Sequence, residues 1–248
     1  MGRQVNLIVD IGNSFAKVAF FDKGEILKWL RMDVDHVEQF VKCDKLVGSC
    51  RQCIVSATVD LPLSLIEAID ALEMRVVYLG AKTPLPFVND YRTPHSLGTD
   101  RMAAVAGAMK LLPQENVLVI DVGSCVTYDI VTREGHYIGG NIAPGMFMRF
   151  CSMHEHTARL PLVEADGEML PVGTDTETAM RAGVLKGVEY EIEGYIGYLK
   201  RELGPVKVIL TGGDSDYFKD MLAEKVVHDT HLVLRGLDFI LQYNEDNT

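Results

Sequence analysis

Apolar residues along this chain gather into short runs of strand length that end at glycine turns, and two of these runs repeat one grammar. Val5 to Phe21, VNLIVDIGNSFAKVAFF, and Val117 to Val131, VLVIDVGSCVTYDIV, each carry an apolar run ending in Asp-x-Gly with a small hydroxyl residue beside it. A second β-rich run follows each turn, Lys17 to Phe21 in one and Val126 to Val131 in the other. The pattern predicts two hairpins about a hundred residues apart. Glu25 to Arg31 extends the first into a three-stranded meander, with Lys23-Gly24 as the turn.

The following segments change period. His36 to Val41 is a short helix candidate, Ile54 to Ser56 a buried strand, and Leu65, Ile66, Ile69 and Leu72 fall at helical spacing behind Pro62. Arg75 to Leu79 closes the first half as a strand, giving the order β-β-β-α-β-α-β. Thr83 to Thr93, rich in proline, reads as an extended loop delivering the Ala-rich helix Met102 to Leu112, with Thr99 or Asp100 as its cap and Gly98 at the bend.

The second half restarts the topology. His136 to Ile142 completes a meander, Met146 to Ala158 is a helix candidate, and Leu160 to Gly173 is a loop. From Thr176 the longest helical pattern of the chain sets Val184, Leu185, Val188, Ile192, Ile196 and Leu199 on one stripe. A strand at Val206 to Thr211 ends in Gly212-Gly213. Tyr217 to Lys225, a short strand at Val226 to His228 and Leu232 to Tyr243 finish this half, and Asn244 to Thr248 are expected to fray. The expected organisation is α/β with two halves, 1–115 and 116–248.

Composition narrows the function. A formal net charge of -11 with no Lys/Arg cluster argues against a nucleic-acid partner. No apolar run reaches the ~18 residues that span a bilayer, and no signal-peptide pattern precedes the first strand, so no membrane partner and a cytoplasmic location are expected. Five cysteines, an odd number, are expected as reduced thiols. Cys50-x-x-Cys53 lacks the second pair that a tetrahedral zinc site would need.

The turns carry the chemistry. Gly12 and Gly123 let backbone N–H groups approach a ligand, and Asn13, Ser14, Ser124 and Thr127 add donors, a combination suited to phosphate oxygens. Asp10 and Asp121 at the strand ends then imply a cation between like charges. The pair of hairpins resembles the ATP-binding core of the acetate/sugar kinase, Hsp70 and actin superfamily. That resemblance implies two ribonuclease H-like halves of the actin-like ATPase fold with a nucleotide cleft between them.

Four motifs make the resemblance narrower. Asp-Ile-Gly-Asn-Ser at 10 to 14, Tyr91 with Gly98-x-Asp100-Arg101, Asp121-x-Gly123-Ser124, and Gly139-Gly-Asn-Ile-Ala-Pro144-Gly145 follow in the order and spacing of type III pantothenate kinases. Ser14 and Ser124 stand where that family usually carries Thr, and both keep the hydroxyl. The resemblance implies ATP-dependent phosphorylation of pantothenate, the first step of coenzyme A biosynthesis, with Asp100 as proton acceptor. It further implies a pantothenate pocket of Tyr91, Gly98, Thr99, Asp100, Arg101 and Thr176, and nucleotide contacts from Asp10, Ile11, Gly12, Asn13, Ser14, Phe15, Ala16, Lys17 and Ser124. Mg²⁺ is implied at Asp10 through water, and a monovalent cation, K⁺ or NH₄⁺, at Asp121. A homodimer is implied too, with Thr176 acting in trans. The alternatives are a kinase of another small-molecule alcohol, or a nucleotide-binding transcription accessory protein.

Overall fold

The computed structural model describes residues 5–13 and 15–246. In chain order its strands and α-helices are β1 (Val5–Ile11), β2 (Ala16–Asp22), β3 (Glu25–Met32), α1 (Val34–Cys43), β4 (Cys50–Ala57), α2 (Leu63–Asp70), β5 (Arg75–Tyr78), β6 (Val88–Asn89) and α3 (Thr99–Leu111). They continue with β7 (Val117–Val122), β8 (Cys125–Val131), β9 (His136–Pro144), α4 (Met146–Glu155), α5 (Thr176–Leu203), β10 (Lys207–Thr211), β11 (Val227–His228) and α6 (Leu232–Asp246). No described helix is long and apolar enough to cross a membrane.

The chain forms two compact units. The first comprises residues 1–113, 135–137 and 232–248, and the second comprises 114–134 and 138–231. The boundaries expected from the sequence differ at the end of the chain, because α6 packs on α3, β1 and β4 of the first unit instead of completing the second.

In the first unit the sheet order is β3-β2-β1-β4-β5. β1 is antiparallel to β2 and parallel to β4, and Lys23 and Gly24 both take positive φ (53° and 84°), the backbone of a primed two-residue hairpin turn. One face of the sheet is closed by Val37 and Val41 of α1 and Leu65 and Ile69 of α2, packed on Val5, Leu7, Val9 and Ile11. α1 and β4 are both longer than the sequence pattern indicates. Gln52 hides the start of β4, since a polar residue there reads as loop.

Gln52 and Asn6 are in fact buried, and they pair with polar groups of α6. Asn6 donates to Asp238 Oδ1 at 2.7 Å, and Gln52 Nε2 donates to Asn6 Oδ1 at 3.1 Å and to Glu245 at 3.0 Å. Buried amides of this kind are tolerable only when satisfied, so the network fixes where α6 docks. Asn244, expected to fray, is buried and donates to the carbonyls of Pro84 and Ile240, which carries the helix to Asp246.

Helix α3 is buried on every side from Arg101 to Ala108, with a backbone approach to α6 that only small residues allow. The helix is therefore seated by packing through its middle two turns.

The second unit repeats the order: β9-β8-β7-β10-β11, with β7 antiparallel to β8 and parallel to β10. α5 runs 28 residues, and its predicted stripe packs on Leu118, Ile120, Val126, Tyr128, Val208 and Leu210. Its start is fixed by a capping box that the sequence reading did not pick out, in which Asp175 accepts from Thr178 N at 3.0 Å. Residues 217–225 form no α-helix; a short 3-10 turn at Ser215–Tyr217 stands there instead.

Candidate active site

In the first unit, strand register brings the chemistry together. Asp10 lies opposite Lys17 on β2 and Ser56 on β4, and Lys17 lies opposite Arg31 on β3, so the four side chains share one face of the sheet in a single row. Ser56 is fully buried and hydrogen-bonds the Asp10 carboxylate; its hydroxyl also lies 3.1 Å from that of Thr99. Burial pushes the Asp10 carboxyl up to about 6, with the Asp100 charge adding to the rise and Lys17 and Ser56 opposing it. A carboxylate this short of countercharge suits a bound cation.

The turn after Asp10 is closed by Gly12 N donating to Phe15 O at 3.0 Å, and the exposed Phe15 ring is covered by the Arg31 guanidinium at 3.7 Å. Asn13 is exposed at the tip, and Ser14 lies outside the described residues. Ile11 and Ala16, both expected to meet nucleotide, point their side chains into the core, so only their backbone groups can do so. The cause is the alternation of a strand: neighbours of Asp10 face the other way.

At the start of α3 neither expected cap forms. Gly98 holds the cap position, and the Thr99 hydroxyl instead donates to Ala57 O at 3.1 Å, tying the helix to the end of β4. Asp100 Oδ1 accepts from Arg101 N at 2.8 Å, and a Cβ on Gly98 would sit 2.4 Å from that oxygen. A side chain at 98 would thus displace the Asp100 carboxylate from this position, while the φ of -58° makes no demand for glycine. Arg101 is 5% exposed, with its guanidinium 5.6 Å from the centre of the Tyr91 ring, and Tyr91 stacks on Tyr137 at 6.0 Å. Tyr91, Gly98, Thr99, Asp100 and Arg101 therefore form one cluster with Asp10. Ser56 was missed by sequence reasoning, although its position at the end of the strand that runs beside β1 was the available signal.

In the second unit Asp121 lies opposite Thr127, and Gly123 N donates to Cys125 O at 2.9 Å, leaving Ser124 exposed at the tip. Two glycines crowd this turn. A Cβ on Gly145 would fall 2.0 Å from Gly123 O, and one on Gly212, whose φ is 100°, would fall 2.2 Å from Val122 O and 2.5 Å from Asp121 Oδ1. Gly145 N donates to Ser124 O and Asp214 N to Val122 O. The Gly212 turn is itself held by the buried Ser215, whose hydroxyl donates to Gly212 O at 2.7 Å and lies 2.8 Å from His228 Nε2.

Thr176 is exposed at the start of α5 and does not cap it. It lines a groove of about 610 Å³ with Arg149, Met153, Leu160, Ala179 and Met180. Among the described residues no three His, Cys, Asp or Glu side chains gather into a metal-binding group. Burial raises the Cys50 thiol to about 11 and Cys53 further, so neither is a ready thiolate.

A family model described as type III pantothenate kinase matches residues 6–197. A type III pantothenate kinase of Bacteroides fragilis is 45% identical over 243 residues, covering 97% of this chain and 98% of the relative. Among solved structures, a conserved Campylobacter jejuni protein assigned to the Baf family of transcriptional activators aligns with a TM-score of 0.64 at 24% identity, over 97% of this chain and 99% of that one. The activator of 2-hydroxyisocaproyl-CoA dehydratase from Clostridium difficile, with bound ADPNP, aligns with a TM-score of 0.53 at 9% identity, over 98% and 97%. Both show the fold alone, two ribonuclease H-like halves of the actin-like ATPase class. Four motifs in register, the Asp10 and Asp121 turns on repeated sheets, the family-model match over residues 6–197 and 45% identity to a curated relative across nearly the whole chain together place this chain in the type III pantothenate kinase family.

Proposed function

We propose that this chain transfers the γ-phosphoryl group of ATP to pantothenate, making 4'-phosphopantothenate for coenzyme A synthesis, with Asp100 as the proton acceptor. The observation that carries the reading is the cluster at the start of α3, where the Asp100 carboxylate accepts from Arg101 N and stands within electrostatic reach of Asp10. Phosphoryl transfer asks a protein mainly to position the acceptor oxygen and neutralise charge. An alcohol is a far weaker acid than a carboxyl, so Asp100 orients the hydroxyl and takes its proton late, as charge develops on the oxygen.

Arg101 and Tyr91 serve the anionic acceptor, Arg101 as the buried cation and Tyr91 as the wall of its pocket. The Gly12 and Gly123 turns offer N–H and hydroxyl donors to the phosphates. Asp10 would hold Mg²⁺ through water, and a bound Mg²⁺ would screen the transferring phosphoryl group. The absence of a multi-carboxylate group among the described residues fits an ion held mostly by water and phosphate. Asp121 would hold K⁺ or NH₄⁺, a role that suits a single carboxylate beside backbone carbonyls. A homodimer is part of the reading: Phe147, 70% exposed on α4, and Tyr190, 66% exposed on α5, are apolar surface suited to a second copy, with Thr176 reaching the partner's acceptor. The reading also implies a cytoplasmic enzyme.

The test is ADP release with ATP and Mg²⁺, with and without pantothenate, in K⁺ and then Na⁺. Release should require pantothenate and K⁺, and Asp100→Asn should lower kcat by about 100-fold or more while leaving nucleotide affinity intact. Nucleotide binding without pantothenate-dependent ADP release would send the chain to another alcohol, or to the regulator reading.

A further inference from the structure

The Ser124 turn is held from behind by a polar network of Arg149, Glu191 and Tyr128, three residues outside the four family motifs, anchored on the carbonyl of Pro144. Arg149, on the second turn of α4, donates through Nε to the carbonyl of Pro144 at 2.8 Å and through Nη2 to Glu191 Oε2 at 2.7 Å. The other Glu191 oxygen accepts from the Tyr128 hydroxyl at 2.7 Å. Tyr128 is fully buried on β8, the strand that leaves the turn, with its ring 4.3 Å from that of Tyr195. Burial and the Glu191 carboxylate both hold the Tyr128 hydroxyl protonated, so it remains a donor to Glu191. Glu191 on α5 therefore bridges β8 and α4 with both oxygens.

The geometry assigns this network a task. The Pro144 carbonyl gripped by Arg149 is adjacent to Gly145, whose N–H donates to Ser124 O at 3.1 Å and whose α-carbon leaves no room for a Cβ against Gly123 O and Ser124 O. Moving Pro144 by a few tenths of an ångström would move the turn or break that bond, since packed backbone on both sides cannot yield. We propose that Arg149 is a positioning residue for the nucleotide, acting on the Ser124 turn through Pro144 and Gly145, with Glu191 and Tyr128 fixing its guanidinium. The proposal rests on the reading that this turn takes nucleotide phosphate. A guanidinium suits the task, because its planar set of donors binds Pro144 O and Glu191 at once and so fixes direction as well as distance.

Arg149 also lines the groove that holds Thr176, so the competing role is direct contact with the acceptor. The experiment separates the two in the full-length protein. Arg149→Gln and Glu191→Gln are compared with the parent for Mg-ATP affinity by calorimetry, KM for ATP, KM for pantothenate, kcat and Tm. The expected result for Arg149→Gln is a rise of about tenfold in both the ATP dissociation constant and its KM, with pantothenate KM within about twofold. Glu191→Gln, which spares the bond to Pro144, should shift ATP affinity in the same direction by less. The double variant should be no worse than Arg149→Gln alone, because the two act as one unit. A rise in pantothenate KM with ATP affinity unchanged would overturn the proposal in favour of acceptor contact. A fall in Tm with unchanged ATP affinity would overturn it in favour of a structural role. Calorimetry decides the positioning role even in a protein that binds nucleotide and fails to phosphorylate pantothenate, so the two readings fail separately. Should Arg149→Gln fail to fold, Glu191→Gln carries the same arms.

Discussion

Replacing Gly236 by alanine tests whether the α3–α6 contact seats helix α3 and the proposed site at its start. A Cβ at this position would lie 1.8 Å from Ala103 O, 2.7 Å from Ala103 C and 2.8 Å from Gly107 N. All three atoms are backbone, so no side chain can swing aside. A relaxed carbon-to-oxygen contact is about 3.3 Å, and the helices must therefore separate by about 1.5 Å. The helices are close at the neighbouring contact as well, where a Cβ on Gly107 of α3 would lie 2.4 Å from Leu232 O of α6. Overpacking of this kind costs about 1–3 kcal/mol, against about 1 kcal/mol gained from the helix preference of Ala over Gly. The shift also carries Thr99, Asp100 and Arg101 away from Asp10 and Ser56, and a misplacement near 1 Å is worth about 100-fold in rate. Gly194→Ala is the control, on an exposed face of α5 with nothing within 4 Å of its Cβ. Urea titration and kcat/KM should show Gly236→Ala less stable than the parent and about 100-fold slower, with Gly194→Ala equal to or more stable than the parent. A Gly236→Ala protein that matches the control in both measurements would refute the reasoning.

Stability should also carry the signature of Asp238, whose carboxyl is pushed up to about 6 by burial, with the Asn6 and Gln242 hydrogen bonds and the Lys110 charge opposing. The folded protein then holds a proton that the unfolded chain, at 3.8, has released, so this group's contribution is full below pH 3.8 and lost as pH rises through 6. The loss is about 3 kcal/mol, and Asp238→Asn, which still accepts from Asn6, should reduce the fall of urea stability between pH 4 and 6, leaving the part due to Asp10; an unchanged slope would count against it. Alkylation by iodoacetamide at pH 7 should mark Cys43, which is exposed, and spare Cys50 and Cys53, whose burial keeps them protonated. Peptide mass spectrometry reads this directly, and rapid labelling of Cys53 in the folded protein would contradict its burial.

The sequence by itself determined the elements and the motifs, because those depend on short-range rules. Alternation and glycine placement predicted the paired hairpins, Lys23-Gly24 required a left-handed turn that only certain residues adopt, and the stripe from Val184 to Leu199 specified which face of α5 is buried. The grouping of Gly98, Asp100 and Arg101 was legible because they are neighbours at one helix start, and that of Tyr91 with them only through the family resemblance. What distance in sequence separates, only the tertiary structure decided. Ser56 is 46 residues from Asp10 and becomes its neighbour through parallel pairing, whose register no local pattern encodes. Asn6, Gln52 and Asp238 read as surface residues one by one and become a buried lock only when α6 returns to the first unit. Arg149 reads as one more charge on a helix until Pro144 and Glu191 are seen to share it. In the first two cases a polar group was buried against a partner far along the chain, and the free energy that makes such burial tolerable belongs to the pair; in the third a half-buried ion pair joins α4 to α5.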